Sequence, residues 1–284
     1  MNKTLHILSV IIIVLAMVIS GLGVFFTTGG QPFDFVNLYG DTVIIHGDGI
    51  YKNDSLFMAS IFRGTDFAVF FIIIPIAIVA LILDTKQNTL KTKLLLTSII
   101  AFFLYYSANL SFGVVYNVLH LVYMAFFGTS FFTIILGFNL LKNYSVNKSL
   151  KLTNGLKIYL VLVGLSLFVA MLPDIITSLV NRTSLGIIDV YTTNVTYILD
   201  MGIISPLIFI CLYNLFKKND IGYILLGIIL TILIIIAIIL PVQTFFQLSV
   251  GIDLSLDEII TEFGISVILA IVAMFYNVKL FRSI

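Results

Sequence analysis

Five ionisable residues fall inside or at the ends of long apolar runs: Asp66, His120, Asp174, Asp200 and Glu262. An ionised side chain at the centre of a membrane helix costs roughly 2.5–3.5 kcal/mol on insertion scales, so such groups are functional hypotheses by default. Carboxylates in that setting can hold a cation, a proton or the polar head of a ligand, while neighbouring amides and phenols supply neutral hydrogen bonds. Tyr105, Tyr106, Tyr116, Asn117, Tyr197, Gln243 and Gln247 stand at comparable depth in their own runs. Together with Arg63 and Glu258, these groups define a candidate ligand-binding set of Asp66, Arg63, His120, Asp174, Asp200, Gln243, Gln247, Glu258 and Glu262.

Plainer structural duties compete with that reading. Arg63 and Asp66 have the i,i+3 spacing of an ion pair along one helix face. Ser255-Leu-Asp-Glu258 reads as a capping box for the last helix, with acids complementing its positive end. His120 stands near a helix start, where a hydrogen-bonded interfacial role is the commoner one. Asp174, beside Pro173 and deep in its run, and Asp200, a turn or more inside the next, are harder to dismiss. Arg182 is their competing explanation, as a simple salt-bridge partner.

Other chemistries are excluded by what the chain lacks. It has three histidines and one cysteine, Cys211, so neither an internal disulfide nor a multi-histidine zinc centre is expected. No metal and no cofactor is expected. The chain contains no Walker A loop, no dinucleotide glycine fingerprint, no H-E-x-x-H and no G-x-S-x-G. A net charge of +1 gives no electrostatic argument for nucleic acid.

The elements that must position these residues are membrane helices. Of the 284 residues 60% are hydrophobic and 10% charged, with mean hydropathy +1.17. Soluble domains carry roughly 45–50% apolar and about 25% charged residues, so a watery surface here would have too few charges to cover it. Apolar runs near 5–26, 67–83, 94–110, 114–141, 158–180, 196–216, 221–242 and 259–280 each approach the ~20 residues a spanning helix needs. The first has the length of a spanning helix and no A-x-A-like cleavage site after it, and is read as retained. The boundary around Ser107–Asn117 leaves open two full spans or a re-entrant pair. The expected fold is an all-α integral membrane protein of about eight transmembrane helices in a single transmembrane domain, 1–284.

Charge sets the expected orientation. With the amino terminus inside, all of the 15 lysines and arginines except Lys52, Arg63 and Arg182 fall on cytoplasmic segments, as the positive-inside rule requires. Of the 14 acids only Asp84 and Asp220 lie there. Both termini are therefore expected in the cytoplasm and the chain in the cell membrane, with any polar site on the outer side.

Segment 27–66 is the one loop long enough for a small extracytoplasmic cap. Phe35–Tyr39 and Thr42–His46 read as short strands, separated and followed by the turn signals Gly40-Asp41 and Gly47-Asp48-Gly49. Asp54 or Ser55 can cap a short helix after them. A hairpin-plus-helix cap over the bundle is expected. Asp66 with Pro75, and Asp200 with Pro206, each follow an outer loop and precede a basic cluster, as a parallel 4+4 repeat would have it. The acid-to-proline spacings differ, which argues for coincidence.

Several stretches carry a resemblance: Tyr39-Gly-Asp41, Tyr51 with Asp54-Ser55, Arg63-Gly-Thr-Asp66, Asp200-Met-Gly-Ile-Ile-Ser-Pro206, Gly222-Tyr223, and Gln243-Thr-Phe-Phe-Gln247 with Gly251 and Glu258-Ile259. In these the chain resembles a family of uncharacterised bacterial multi-pass membrane proteins. The resemblance implies a bacterial membrane setting, and no activity.

The expected function is binding of a small molecule, cation or lipid headgroup at a polar outer-face pocket, for sensing or assembly, with membrane lipids as the surrounding partner. A transporter is the alternative, and it is disfavoured by inner helix halves in which Asn139 is among the few polar candidates. A membrane-embedded enzyme on a lipid-linked substrate is the third reading.

Overall fold

The computed structural model describes residues 2–146, 152–256, 260 and 264–284. Among them, eight helices are long and apolar enough to cross a membrane: α1 (Asn2–Phe25), α2 (Leu56–Gln87), α3 (Leu90–Gly113), α4 (His120–Leu141), α5 (Asn154–Asn181), α6 (Val195–Phe216), α7 (Asp220–Ser249) and α8 (Ile265–Ser283). The protein is an all-α multi-pass membrane protein. Many of their outward side chains are apolar, as with Val169, Leu179 and Ile268, as expected where lipid rather than water faces them. The stretch around Ser107–Asn117 resolves into two helices, α3 and α4, of 24 and 22 residues, so no re-entrant pair forms there.

Between α1 and α2 lies a two-stranded antiparallel hairpin, β1 (Phe33–Val36) and β2 (Thr42–Ile45), with Phe33 opposite Ile45 and Val36 opposite Thr42. Asn37 ends β1 early, because its Oδ1 accepts from the backbone N–H of Tyr39 and of Asp41, each at 2.9 Å, and turns the chain. Ser55 caps the following helix, its Oγ accepting from Met58 N at 3.2 Å. That helix does not stop as a separate cap element but continues into the membrane as one 32-residue rod. The 56–66 part of the expected cap is thus the top of α2.

The helices pack as two similar groups. In the first, α1 touches α2 and α4, while α3 touches α2 and α4; in the second, α5 touches α6 and α8, while α7 touches α6 and α8. The groups meet where α7 lies against α2 and α3, and the first turn of α6 against α3. Gly64 makes the α2–α7 approach possible: a Cβ there would lie 2.7 Å from Gln243 Cα.

Local geometry repeats as well. α2 contains one π turn, Val69–Ile73, and α6 another, Asp200–Ile204, and each is followed two residues later by proline, Pro75 and Pro206. Proline has no N–H and its ring clashes with the carbonyl four residues back. Here those carbonyls belong to Phe71 and Gly202, inside the widened turns, so the π turn accommodates the ring without breaking the rod. Both rods then end at a left-handed residue, Asn88 (φ 49°) and Lys218 (φ 53°), followed by the N-caps Thr89 and Asn219. The Asp–Pro pattern therefore falls on helices that hold corresponding places in two similarly packed groups of four, and the unequal acid-to-proline spacing reflects where each acid sits relative to its π turn.

Candidate functional site

The nominated acids among the described residues, Asp66, Asp174 and Asp200, do not converge on one pocket. Asp66 is fully buried on α2. Its Oδ2 accepts from Tyr51 Oη at 2.6 Å, and its Oδ1 from Tyr106 Oη. Tyr51 arrives from the segment before α2 and Tyr106 from α3, where Phe102 stacks on the ring and Phe126 of α4 meets it edge-on. Arg63 does not pair with Asp66 as the spacing suggested, since its guanidinium lies 5.9 Å from the Phe246 ring centre. The two phenols reach the carboxylate first, from elements whose position the local spacing could not reveal.

Asp200 opens the π turn of α6 and accepts from Tyr105 Oη at 2.9 Å. Adjacent tyrosines of α3 thus reach different acids, Tyr106 to Asp66 and Tyr105 to Asp200. Asn109 and Thr196 join beside Asp200, Thr196 Oγ1 donating to Asn109 Oδ1 at 3.0 Å. Asp174 is exposed and takes a hydrogen bond from Tyr197 at 2.9 Å. Neither acid pairs with Arg182, the exposed residue that ends α5 in the left-handed region. Gln243 donates to Thr65 Oγ1 at 2.7 Å, Gln247 is buried in α7, and His120 lies against the Tyr116 ring. Glu258 and Glu262, with the 255–258 capping box, lie outside the described residues. Asp66, Asp174, Asp200 and Gln243 therefore each have their own hydrogen-bond partner rather than a shared pocket. Among the described residues no group of three His, Cys, Asp or Glu side chains is placed to hold a metal ion.

The open space lies elsewhere at the same end. A cleft of about 330 Å³ runs between the hairpin and the segments around Val115 and 189–191. Phe33, Phe35, Tyr39 and Tyr191 give it aromatic walls, and Asn37, Asn53 and Asp189 give it polar groups. Phe33 and Phe35 share one face of β1 because strand side chains alternate. Asn37 Nδ2 donates to the Asp189 carbonyl at 2.8 Å and so ties the hairpin to the far wall.

Beneath that wall sits Asp54, fully buried. Its Oδ1 accepts from Tyr191 Oη and from the Val115 N–H, both at 2.9 Å, while Oδ2 has no hydrogen-bond partner among the described residues. Burial pushes its carboxyl up to about 7 against the downward pull of those two donors. Asp54 thus fastens three segments distant in sequence. Along the cap, Asp48 is held well below the usual carboxylate range: burial opposes ionisation, but hydrogen bonds from Thr27, Thr28 and Gly49 outweigh it. His46 is pushed down by burial and by Arg63.

At the opposite ends of the helices a second buried cluster appears. Asp84 and Lys93 are both fully buried, with Lys93 Nζ 3.0 Å from Asp84 Oδ2. His6 Nε2 lies 2.8 Å from the same oxygen, and Thr92 Oγ1 donates to Oδ1 at 2.8 Å. Apolar runs that end at 83 and resume at 94 predict a cytoplasmic segment over 84–93. The turn is only Asn88-Thr89 long, so Asp84 and Lys93 stand inside α2 and α3. Asn139 is exposed on α4 and outside the bundle.

Two signals could have found what the sequence reading missed. Asp84 and Lys93 flank the short turn signal Asn88-Thr89, and Asp54 directly precedes an N-cap serine. The cleft itself had no local signal. No known protein family, curated protein or solved structure matches this chain.

Proposed function

We propose that this protein binds a ligand at the outer face of a bacterial cell membrane, in the cleft between the hairpin and the 189–191 segment, in a sensing or assembly role. The hairpin end faces outward in this reading and both termini face the cytoplasm, as the distribution of lysine and arginine requires. The observation that carries it is the cleft: about 330 Å³ of concave, mainly aromatic surface with a few polar groups, the general character of a small-ligand site. The walls are held by hydrogen bonds, Asn37 donating to the Asp189 carbonyl and Tyr191 to Asp54, so the shape is formed before any ligand arrives. Native mass spectrometry of protein purified in mild detergent tests this. A bound molecule lost on Phe35→Ala but kept on Asp174→Ala supports the cleft. The opposite pattern moves the site to the lateral pair of Asp174 and Tyr197, and the cleft reading then falls.

A transporter remains the second reading, favoured by one feature. Helices with a π turn and proline occupy matching places in the two units, each with an acid at or just before the turn. Interrupted helices in matching halves mark the substrate sites of many transporters. The buried Asp84–Lys93 pair and the unpartnered hydroxyls of Thr97 and Ser130 add polarity toward the inner half. Gradient-driven uptake into proteoliposomes that Asp200→Asn abolishes would establish this reading over simple binding.

A further inference from the structure

We infer that the occupant of the cleft is an organic ammonium ion, with its cationic head against the aromatic rings and facing the Asp189 carboxylate. The inference rests on the reading of the cleft as a binding site and adds the class of ligand.

Three observations select the charge and type of the ligand. First, four lining residues are aromatic: Phe33, Phe35, Tyr39 and Tyr191. The Tyr191 hydroxyl is already given to Asp54, so this residue has its ring rather than its Oη to offer the cleft. Ring faces carry the negative part of the aromatic quadrupole and attract alkylammonium groups, which pack against them without demanding water or oxygen ligands. Second, Asp189 lines the cleft half-buried, and its carboxylate has no hydrogen bond or ion pair among the described residues. Its backbone is fixed in the left-handed region (φ 47°), with its carbonyl clamped by Asn37. Third, no lysine, arginine or histidine lines the cleft. Asp34, Asp41, Asp48 and Asp54 stand in the same hairpin segment, where Lys52 is the one lysine.

The alternatives fit less well. An anion would meet a carboxylate and no cation. A purely apolar ligand would strip water from an unpaired carboxylate, at a cost that nothing repays. A hard metal ion needs about six oxygen ligands, and aromatic rings supply none. At about 330 Å³ the cleft is at the small end for ligand sites and suits a compact head such as trimethylammonium. That head can come from a free amine such as choline or from a phosphatidylcholine headgroup reaching up from the membrane.

The test uses the full chain in phosphatidylglycerol nanodiscs, titrated calorimetrically with choline and with its neutral tert-butyl isostere, in which carbon replaces nitrogen. Choline is expected to saturate, and the isostere to bind at least about tenfold more weakly. Asp189→Asn is expected to weaken choline by about tenfold without changing thermal unfolding. Should Asp189→Asn disturb folding, Tyr39→Leu serves instead, since Tyr39 is half exposed and its side chain makes no hydrogen bond among the described residues. A parallel arm compares lipid retained from mixed phosphatidylcholine and phosphatidylglycerol by native mass spectrometry. Selective retention of phosphatidylcholine, lost in Asp189→Asn, identifies the headgroup as the source; saturable choline binding without lipid selectivity identifies a free amine. Equal binding of choline and isostere overturns the ammonium assignment and leaves the cleft as a binding site. Absence of both choline binding and lipid selectivity also overturns it, whereas the binding reading falls only if Phe35→Ala leaves a co-purifying molecule in place.

Discussion

Gly23 of α1 and Asp66 of α2 meet with no room for a methyl group: a Cβ on Gly23 would lie 1.6 Å from Asp66 Oδ2. The carboxylate cannot turn aside, because Tyr51 holds one oxygen and Tyr106 the other. Gly23→Ala is therefore expected to cost about 2–4 kcal/mol. Cys211, the single cysteine and buried, makes thermal unfolding readable with a thiol-reactive dye. In an Asp66→Ala background the same substitution should cost at least about 1 kcal/mol less, since the colliding group is gone. Strict additivity of the two changes would show that the contact is not the cause.

The neighbouring tyrosines of α3 should differ in weight. Tyr106→Phe removes a donor from a fully buried carboxylate, which leaves an unsatisfied oxygen and should cost about 2–3 kcal/mol. Tyr105→Phe acts on Asp200, which is only partly buried, and should cost about 1 kcal/mol. The same unfolding assay ranks them, and the reverse order would contradict the packing described.

At the other end, Lys93→Met strands the buried Asp84 with only the partly exposed His6 and the Thr92 hydroxyl as polar partners. A loss of about 3–5 kcal/mol is expected, because breaking a buried pair leaves an uncompensated charge. Asp84→Asn combined with Lys93→Met should recover most of it. If the double variant is as unstable as the single, the pair is not what holds α2 to α3.

Asp54 ties stability to pH. Its carboxyl titrates at about 7 when folded, against 3.8 as the ordinary value. The folded state thus holds the proton more tightly than the unfolded one. The protonated group's contribution is full below about pH 4 and is lost as pH rises through the folded value near 7, with no further change above it, amounting to at most about 4 kcal/mol. Thermal unfolding followed by circular dichroism at pH 4.5 and 7.5 (about these values, to bracket the transition) should show the wild type less stable at the higher pH. Asp54→Asn should flatten that difference. An unchanged pH dependence in the variant would assign it to another group.

Spans, caps and the cleft differ in how far each could be read from the chain. The spans were legible because a 20-residue apolar stretch has few alternatives in lipid, and the N-cap Ser55 was legible because a cap needs only its own local neighbours. Even so, α2 begins at Leu56 rather than near 67, since its first turns, which carry Arg63 and Asp66, look too polar for membrane until Tyr51 and Tyr106 are seen to cover the acid. Asp66, Asp174 and Asp200 were legible as polar groups within apolar runs, but each meets its own tyrosine partners rather than a shared pocket.

The sequence by itself determined that the chain is a multi-pass membrane protein and which residues are polar within it. Hydropathy and capping are properties of short stretches, so they survive without knowledge of neighbours. Only the tertiary structure decided what those polar residues touch. Asp66 meets Gly23 and Tyr106, Asp84 meets His6, Asp54 meets Tyr191, and the open cleft gathers β1 with Asp189. Each of these contacts joins segments far apart in the chain, and its geometry follows from how helices and loops pack, which no spacing along one element encodes.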